Sequence, residues 1–223
     1  MGLLEIINVE KQYNSGSGNK IKVLDKINLT VQESEFVSIL GKSGSGKSTL
    51  LYIMSGLLAP DTGTVLFNGE NIATYSEKQR SYFRNNDIGF IFQTFFLEPS
   101  YNAYENVALP LIVKRMDLKL RKEIAYDALA KVGLEGRELH KPSELSGGEM
   151  QRVCIARAIV SQPKIIFADE PTGNLDKMNG KMVMDLLLDL TKEKMAVVLV
   201  THDEQAAQMT TRVFYISDGK LCI

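Results

Sequence analysis

Tryptophan is absent from this 223-residue chain, and cysteine and histidine occur only twice each. Cys154 and Cys222 stand in no metal-ligand spacing, which argues against a disulfide scaffold or a zinc site and fits a reducing compartment. Neither charge sign is in excess: Lys+Arg is 26, Asp+Glu is 27 and the net charge is -1. No overall basic surplus points to nucleic acid or to an anionic membrane surface, so only local patches stay open. No apolar run approaches the length that spans a bilayer. The start, Met1-Gly2-Leu3-Leu4-Glu5-Ile6, lacks the basic-then-apolar order of a signal peptide. Ile6 stands where the myristoylation pattern needs Ser or Thr. There is no internal repeat, and the only low-complexity stretch is a short Ser/Gly turn. What remains, 44% hydrophobic and 24% charged, suits one soluble unit with a large core and room for a subdomain.

One stretch organises the chain. Ile39-Leu40 leads into Gly41-Lys42-Ser43-Gly44-Ser45-Gly46-Lys47-Ser48-Thr49, an apolar strand, a glycine-rich turn and the opening of a helix. It satisfies G-x-x-x-x-G-K-[ST] at every required position, from Gly41 to Ser48. A triphosphate must be gripped without a bulky wall, and glycines let backbone N–H groups turn inward to its oxygens. The first helical turn adds unpaired N–H groups and the positive end of a dipole. Lys47 is expected to reach the β- and γ-phosphates, and Ser48 to ligate Mg²⁺.

Taken in order, residues 3–9 read as a strand and Asn14 to Asn19 as a flexible turn. Ile21–Leu24 and Ile27–Val31 read as two short strands of an antiparallel start. Phe36–Leu40 is nearly all apolar, as in a strand buried on both faces. A helix follows Lys47 and stops at Gly56 and Pro60. Val65–Phe67 meets the hairpin signal Asn68-Gly69. Tyr75–Arg84 is polar and helix-prone, and Ile88–Phe92 is a strand ending at Gln93. From Thr94 to about Pro142, Phe95, Phe96, Tyr101 and Tyr104 precede residues at helical spacing, a mostly helical insertion. A helix opens after Ser146. Strands at Ile165–Ala168 and Ala196–Val200 alternate with a helix at about 179–191, and a final strand runs over Val213–Ile216. Alternation of this kind predicts an α/β fold with an open parallel sheet and a ligand site at the strands' carboxyl ends.

Chemistry-bearing residues gather at those ends. Asp169, after four apolar residues, is read as a direct or water-mediated Mg²⁺ ligand. Glu170 beside it is read as the group that orients and deprotonates the attacking water. His202 can hydrogen-bond the γ-phosphate or that water. The Gln93 amide can touch Mg²⁺ or the water. Ser146-Gly147-Gly148 begins a helix and makes a second anion site, which two subunits facing each other would use to close one another's nucleotide. Tyr13, at a strand end, can stack on adenine or be a packed surface residue.

In these features the chain resembles the ATP-binding subunit of an ATP-binding-cassette transporter. The most specific mark is Leu145-Ser146-Gly147-Gly148-Glu149 with Gln151-Arg152, similar to the family's signature motif. The ordered matches are Tyr13, Gly41–Thr49, Gln93, the signature, Asp169-Glu170, the aspartate loop Asn174-Leu175-Asp176, and the switch histidine His202. The resemblance implies a P-loop NTPase with a RecA-like core at about 35–60, 73–93 and 159–223. It adds an antiparallel β subdomain at about 1–34 and 61–72, and a helical subdomain with the signature at about 94–158. It further implies a head-to-tail homodimer binding two ATP with Mg²⁺, with Asp176 at the nucleotide interface. The homodimer would sit on a transmembrane permease subunit at the inner face of the cell membrane. Glu105–Leu111 and Asp169–Asp176 look like the group serving macrolide export, lipoprotein release, peptide-antibiotic detoxification and a cell-division complex. Met150, where that group often has Gln, and Ser34, before Glu35 where Gly is usual, depart from it. Export or extraction of such cargo is the expectation; the alternative is an ATP-gated clamp on an envelope partner that moves no solute. Repair cassettes need a long coiled coil between phosphate loop and signature, and here Ser146 follows Lys47 by 99 positions without heptads. The four aromatics after Gln93 either line a groove for a permease helix or form the insertion's core.

Overall fold

The computed structural model describes residues 2–14 and 20–222; of the turn read at Asn14–Asn19, Asn14 ends the first strand and residues 15–19 lie outside the described residues. The strands form two sheets. In the first, β1 (Leu4–Asn14), β2 (Lys20–Val31), β4 (Thr62–Phe67) and β5 (Glu70–Asn71) run antiparallel in the order β2-β1-β4-β5. Where two short strands were expected between Ile21 and Val31, one bent strand is found. Its register against β1 shifts between Ile6 and Val9, then again to Lys11, and Lys26 adopts φ 50°. A bulge bends a strand without ending it. Asn68 and Gly69, both at positive φ, make the β4–β5 turn, as Asn-Gly pairs do.

The second sheet is ordered β10-β9-β3-β8-β7-β6. It comprises β3 (Phe36–Leu40), β6 (Ile88–Ile91), β7 (Ile165–Asp169), β8 (Ala196–Thr201) and β9 (Arg212–Ser217), all parallel. A short antiparallel edge, β10 (Lys220–Cys222), is one that the sequence pattern did not announce. Its central strands are buried on both faces, and alternate residues serve different cores. Ile166 and Ala168 of β7 and Val197 and Leu199 of β8 join one core with the helices α3 (Ala103–Val113), α4 (Leu118–Lys131), α5 (Gly147–Ile159) and α6 (Lys177–Lys192). Ile165, Phe167, Val198 and Val200 join another, between this sheet and the antiparallel one, with α1 (Lys47–Met54) between them. Each of the Val, Leu, Ile and Phe side chains among them contributes about 1.5–3 kcal/mol of burial, so the strand that carries Asp169 is held from both sides. Helices α2 (Glu77–Asn86) and α7 (Glu204–Gln208) complete the chain.

Candidate functional site

The loop after β3 meets α1 at Gly46, whose φ of 103° is left-handed and whose position offers no capping side chain. A Cβ there would come within 2.8 Å of the Val23 carbonyl. Glycine is therefore required by both conformation and space. The first turn of α1 holds no acid, so its N–H groups and dipole remain available to an anion. Lys47 is buried, and its ammonium donates to the carbonyls of Gly41 (2.8 Å) and Lys42 (3.0 Å). Among the described residues no carboxylate pairs with it. The Ser45 hydroxyl is buried without a protein partner. A buried cation lacking a counter-ion is costly, and a polyphosphate supplies what is missing.

The acids face this loop from the neighbouring strands. Ser48 Oγ lies 3.4 Å from Asp169 Oδ1. Tyr52, one turn further along α1, stands beside the same carboxylate. Burial, with Glu170 next to it, pushes the Asp169 carboxyl above its ordinary range. At neutral pH its ionised form therefore costs the fold stability. That cost is relieved as pH falls through the raised folded-state value. Glu170 has φ 47°, a conformation uncommon for a residue with a side chain and one that gathers at functional sites. Its carboxylate accepts from Thr201 Oγ1 at 3.1 Å, and its other oxygen lies 2.8 Å from His202 Nδ1. Lys42, Ser43, Gly44, Gly46, Lys47, Ser48, Thr49, Gln93, Asp169, Glu170 and His202 share one cleft of about 770 Å³. Gly41 lies outside its lining, its carbonyl turned to Lys47.

The donor set suits Mg²⁺ bound together with a nucleotide. No cluster of three metal-binding side chains occurs among the described residues, while one hydroxyl and one half-buried carboxylate are side by side. Mg²⁺ commonly takes one or two carboxylates plus phosphate oxygens. Asp169→Asn keeps shape and removes charge. Thermal melting of the nucleotide-free variant is expected unchanged or about 2 °C higher. Its Mg²⁺-dependent ATP affinity falls at least about tenfold, read by nucleotide titration with and without Mg²⁺.

Other expected site residues stand apart. Tyr13 is 44% exposed, does not line the cleft, and has Lys11 Nζ 5.8 Å from its ring. Ser146 caps α5 in a reciprocal box with Glu149, whose carboxyl is held low by the Ser146 N–H and hydroxyl. Asp176 caps α6, accepting from Asn179 N (2.9 Å) and Nδ2 (2.6 Å), which lowers its carboxyl. Asn179 also packs against the Cα of Gly148, so no Cβ fits there unless it moves. Signature and aspartate loop thus form one surface joined by Asn179, and Ser146, Gly147, Gly148 and Asp176 lie outside the lining of the phosphate loop's cleft. Asn174 Nδ2 donates to the Gln93 carbonyl at 2.9 Å.

Sequence reasoning missed Tyr52, Thr201 and Asn179. Tyr52 is legible as the i+4 neighbour of Ser48, and Thr201 by adjoining His202. Asn179 carried no local signal. The aromatics after Gln93 divide. Tyr104 packs on the helical core and Tyr126. Phe96, 65% exposed, meets Phe92 edge-on in a separate groove of about 320 Å³ that Pro110, Arg157 and Ser161 also line.

Comparison with known proteins is consistent in its direction. Residues 24–173 match a family model described as ABC transporter. The chain is 46% identical over 222 residues, 99% of its length and 96% of the relative's, to the lipoprotein-releasing system ATP-binding protein LolD of Wigglesworthia glossinidia brevipalpis. It is 43% identical to the macrolide export ATP-binding/permease protein MacB of Chlorobaculum tepidum, covering 97% of this chain but 33% of that longer protein. Its fold superposes with a TM-score of 0.90, at 41% identity, on a dimeric ATP-binding cassette in a post-hydrolysis state bound to ADP and Pi. That match covers 98% of this chain and 96% of that one.

Proposed function

The chain belongs to the ABC transporter family, and from that premise we propose how its residues turn ATP hydrolysis into work on a membrane permease. The observation that carries the reading is the buried, unpaired Lys47 ammonium sharing one cleft with Asp169, Glu170 and His202. Lys47 and the N–H groups of Gly44 to Thr49 hold the phosphate tail, and the base lies towards Tyr13. Ser48 and Asp169, with Gln93, hold Mg²⁺, which when bound neutralises charge on the phosphate oxygens. Glu170 takes the proton of the attacking water on its carboxylate. Thr201 and His202 fix that carboxylate, and His202 also reaches towards the γ-phosphate. Ser146, Gly147 and Gly148 of a second copy, with Asp176, close the cleft from the opposite side, where their N–H groups meet the developing charge. We assign the core, antiparallel and helical subdomains to the residue ranges expected above.

The permease docks in the Phe92–Phe96 groove, next to the Gln93 segment. Arg157 ties that segment down, donating to the carbonyls of Phe96 (2.7 Å) and Phe95 (2.9 Å). Docking there holds the chain at the inner membrane face. The cargo belongs to the group of lipoproteins, macrolides or peptide antibiotics. Co-expression with the permease tests the reading: the pair copurifies and hydrolyses ATP. Phe96→Asp keeps ATP binding but lowers copurification at least about tenfold, as loss of an interface anchor does. Undiminished copurification would move the docking site elsewhere.

A further inference from the structure

Ile112, Val113, Leu118 and Leu120 are 45%, 66%, 62% and 48% exposed. All four lie at the turn joining α3 to α4, the tip of the helical layer. They are surplus to packing, because the two helices already bury Val107, Leu111, Ala125 and Leu129 between them. Scattered exposed apolar residues need no explanation; four on one tip do. Their neighbours Arg115, Lys119 and Lys122 are also exposed. None forms an ion pair among the described residues. Of the two acids in this stretch, Asp117 is committed to capping α4 through the N–H groups of Lys119 (2.9 Å) and Leu120 (3.4 Å), and Glu123 is in no ion pair among the described residues. Residues 112–123 hold five cations against two acids, in a chain whose net charge is -1.

The tip has a fixed place. Arg115 turns the chain at φ 55°. Lys114, half-buried, donates from Nζ to the Ser161 carbonyl at 3.3 Å. Ser161 and Pro110 line the Phe92–Phe96 groove, so the tip begins one helical turn beyond it. We infer that this tip is a peripheral membrane contact. Its four apolar side chains enter the headgroup layer of an anionic bilayer, and Arg115, Lys119 and Lys122 meet the lipid phosphates. Interleaved apolar and basic residues suit that boundary, and clustered cations draw anionic leaflets within a Debye length. The orientation rests on the permease reading above, since a groove docked on a permease faces the bilayer.

The test uses the whole chain without a permease, in sedimentation with vesicles of phosphatidylcholine alone or containing about 30% phosphatidylglycerol. At low salt the chain partitions onto anionic vesicles at least about tenfold more than onto neutral ones, and less as salt rises. Arg115→Glu/Lys119→Glu/Lys122→Glu loses at least about tenfold of this binding. Leu118→Ser/Leu120→Ser loses several-fold. Undiminished ATP affinity shows that both variants are folded. No preference for anionic vesicles, or full binding by the charge-reversed variant, overturns the inference. So does a charge-reversed variant that binds vesicles normally but loses the permease, which would make the tip a protein contact. Vesicle binding by a chain that recovers no permease leaves the tip standing and removes only the permease reading.

Discussion

Glu170→Gln lowers ATP turnover by about 10²–10⁴-fold, the share a positioned general base contributes, while ATP binding persists. The amide keeps the carboxylate's size and an oxygen for the Thr201 hydroxyl, 3.1 Å away in the native chain. The left-handed backbone at Glu170 continues to aim the side chain into the cleft. Only the capacity to take a proton is lost. If hydrolysis is what opens the dimer, the variant with ATP collects as a dimer that the native chain forms only transiently. Phosphate release measures the first effect, and size-exclusion with and without ATP the second. Turnover within tenfold of native would place the base elsewhere. A variant that stays monomeric with ATP bound would contradict closure by a second copy.

Two inactive variants are expected to rescue each other. Lys47→Ala removes the buried ammonium, and ATP affinity falls about a hundredfold, because bonds to a charged group contribute roughly 1.5–3 kcal/mol each. Ser146→Arg leaves that side untouched but places a long cation where α5 starts, with its capping box broken. Each variant alone is inactive, since every site in its dimer has one bad half. In a mixed dimer both lesions fall in one site and the other is wholly native. Random one-to-one mixing then restores intact sites to about a quarter of the native number. Nucleotide binding and hydrolysis in the mixture measure it. Mixed dimers that form yet restore neither would show that Ser146 does not complete the partner's site.

The phosphate loop was legible because its demands are local. A tight turn, a lysine and a hydroxyl must stand at fixed offsets, and Gly41 to Thr49 state all of them. Asp169, Glu170 and His202 were legible one level higher, as polar residues after runs of buried apolar ones. What stayed hidden depends on contacts between distant elements. Asn179 sits in the first turn of α6, where it looks like an ordinary cap partner, and its contact with the signature shows only where α5 brings Gly148 against it. The bend near Lys26 looks like a strand break in sequence because a bulge interrupts alternation as a turn does. Edge strand β10 has three residues, too few for a period to show. The helical insertion hid its division of labour. Tyr104 and Phe96 look alike in sequence, yet one packs inward and the other faces solvent.

The splitting of β7 and β8 between two cores has a mechanical consequence. A wall braced from both sides makes an anvil, and Asp169 and Glu170 are fixed to it. Helices α3, α4 and α5, which carry Ser146, rest on one side of that wall only, so they form the jaw that can swing. Amide exchange would sort the two, with β3, β7 and β8 the last to open and the helical layer earlier. Force from a closing dimer then moves the jaw and leaves Asp169 and Glu170 in place.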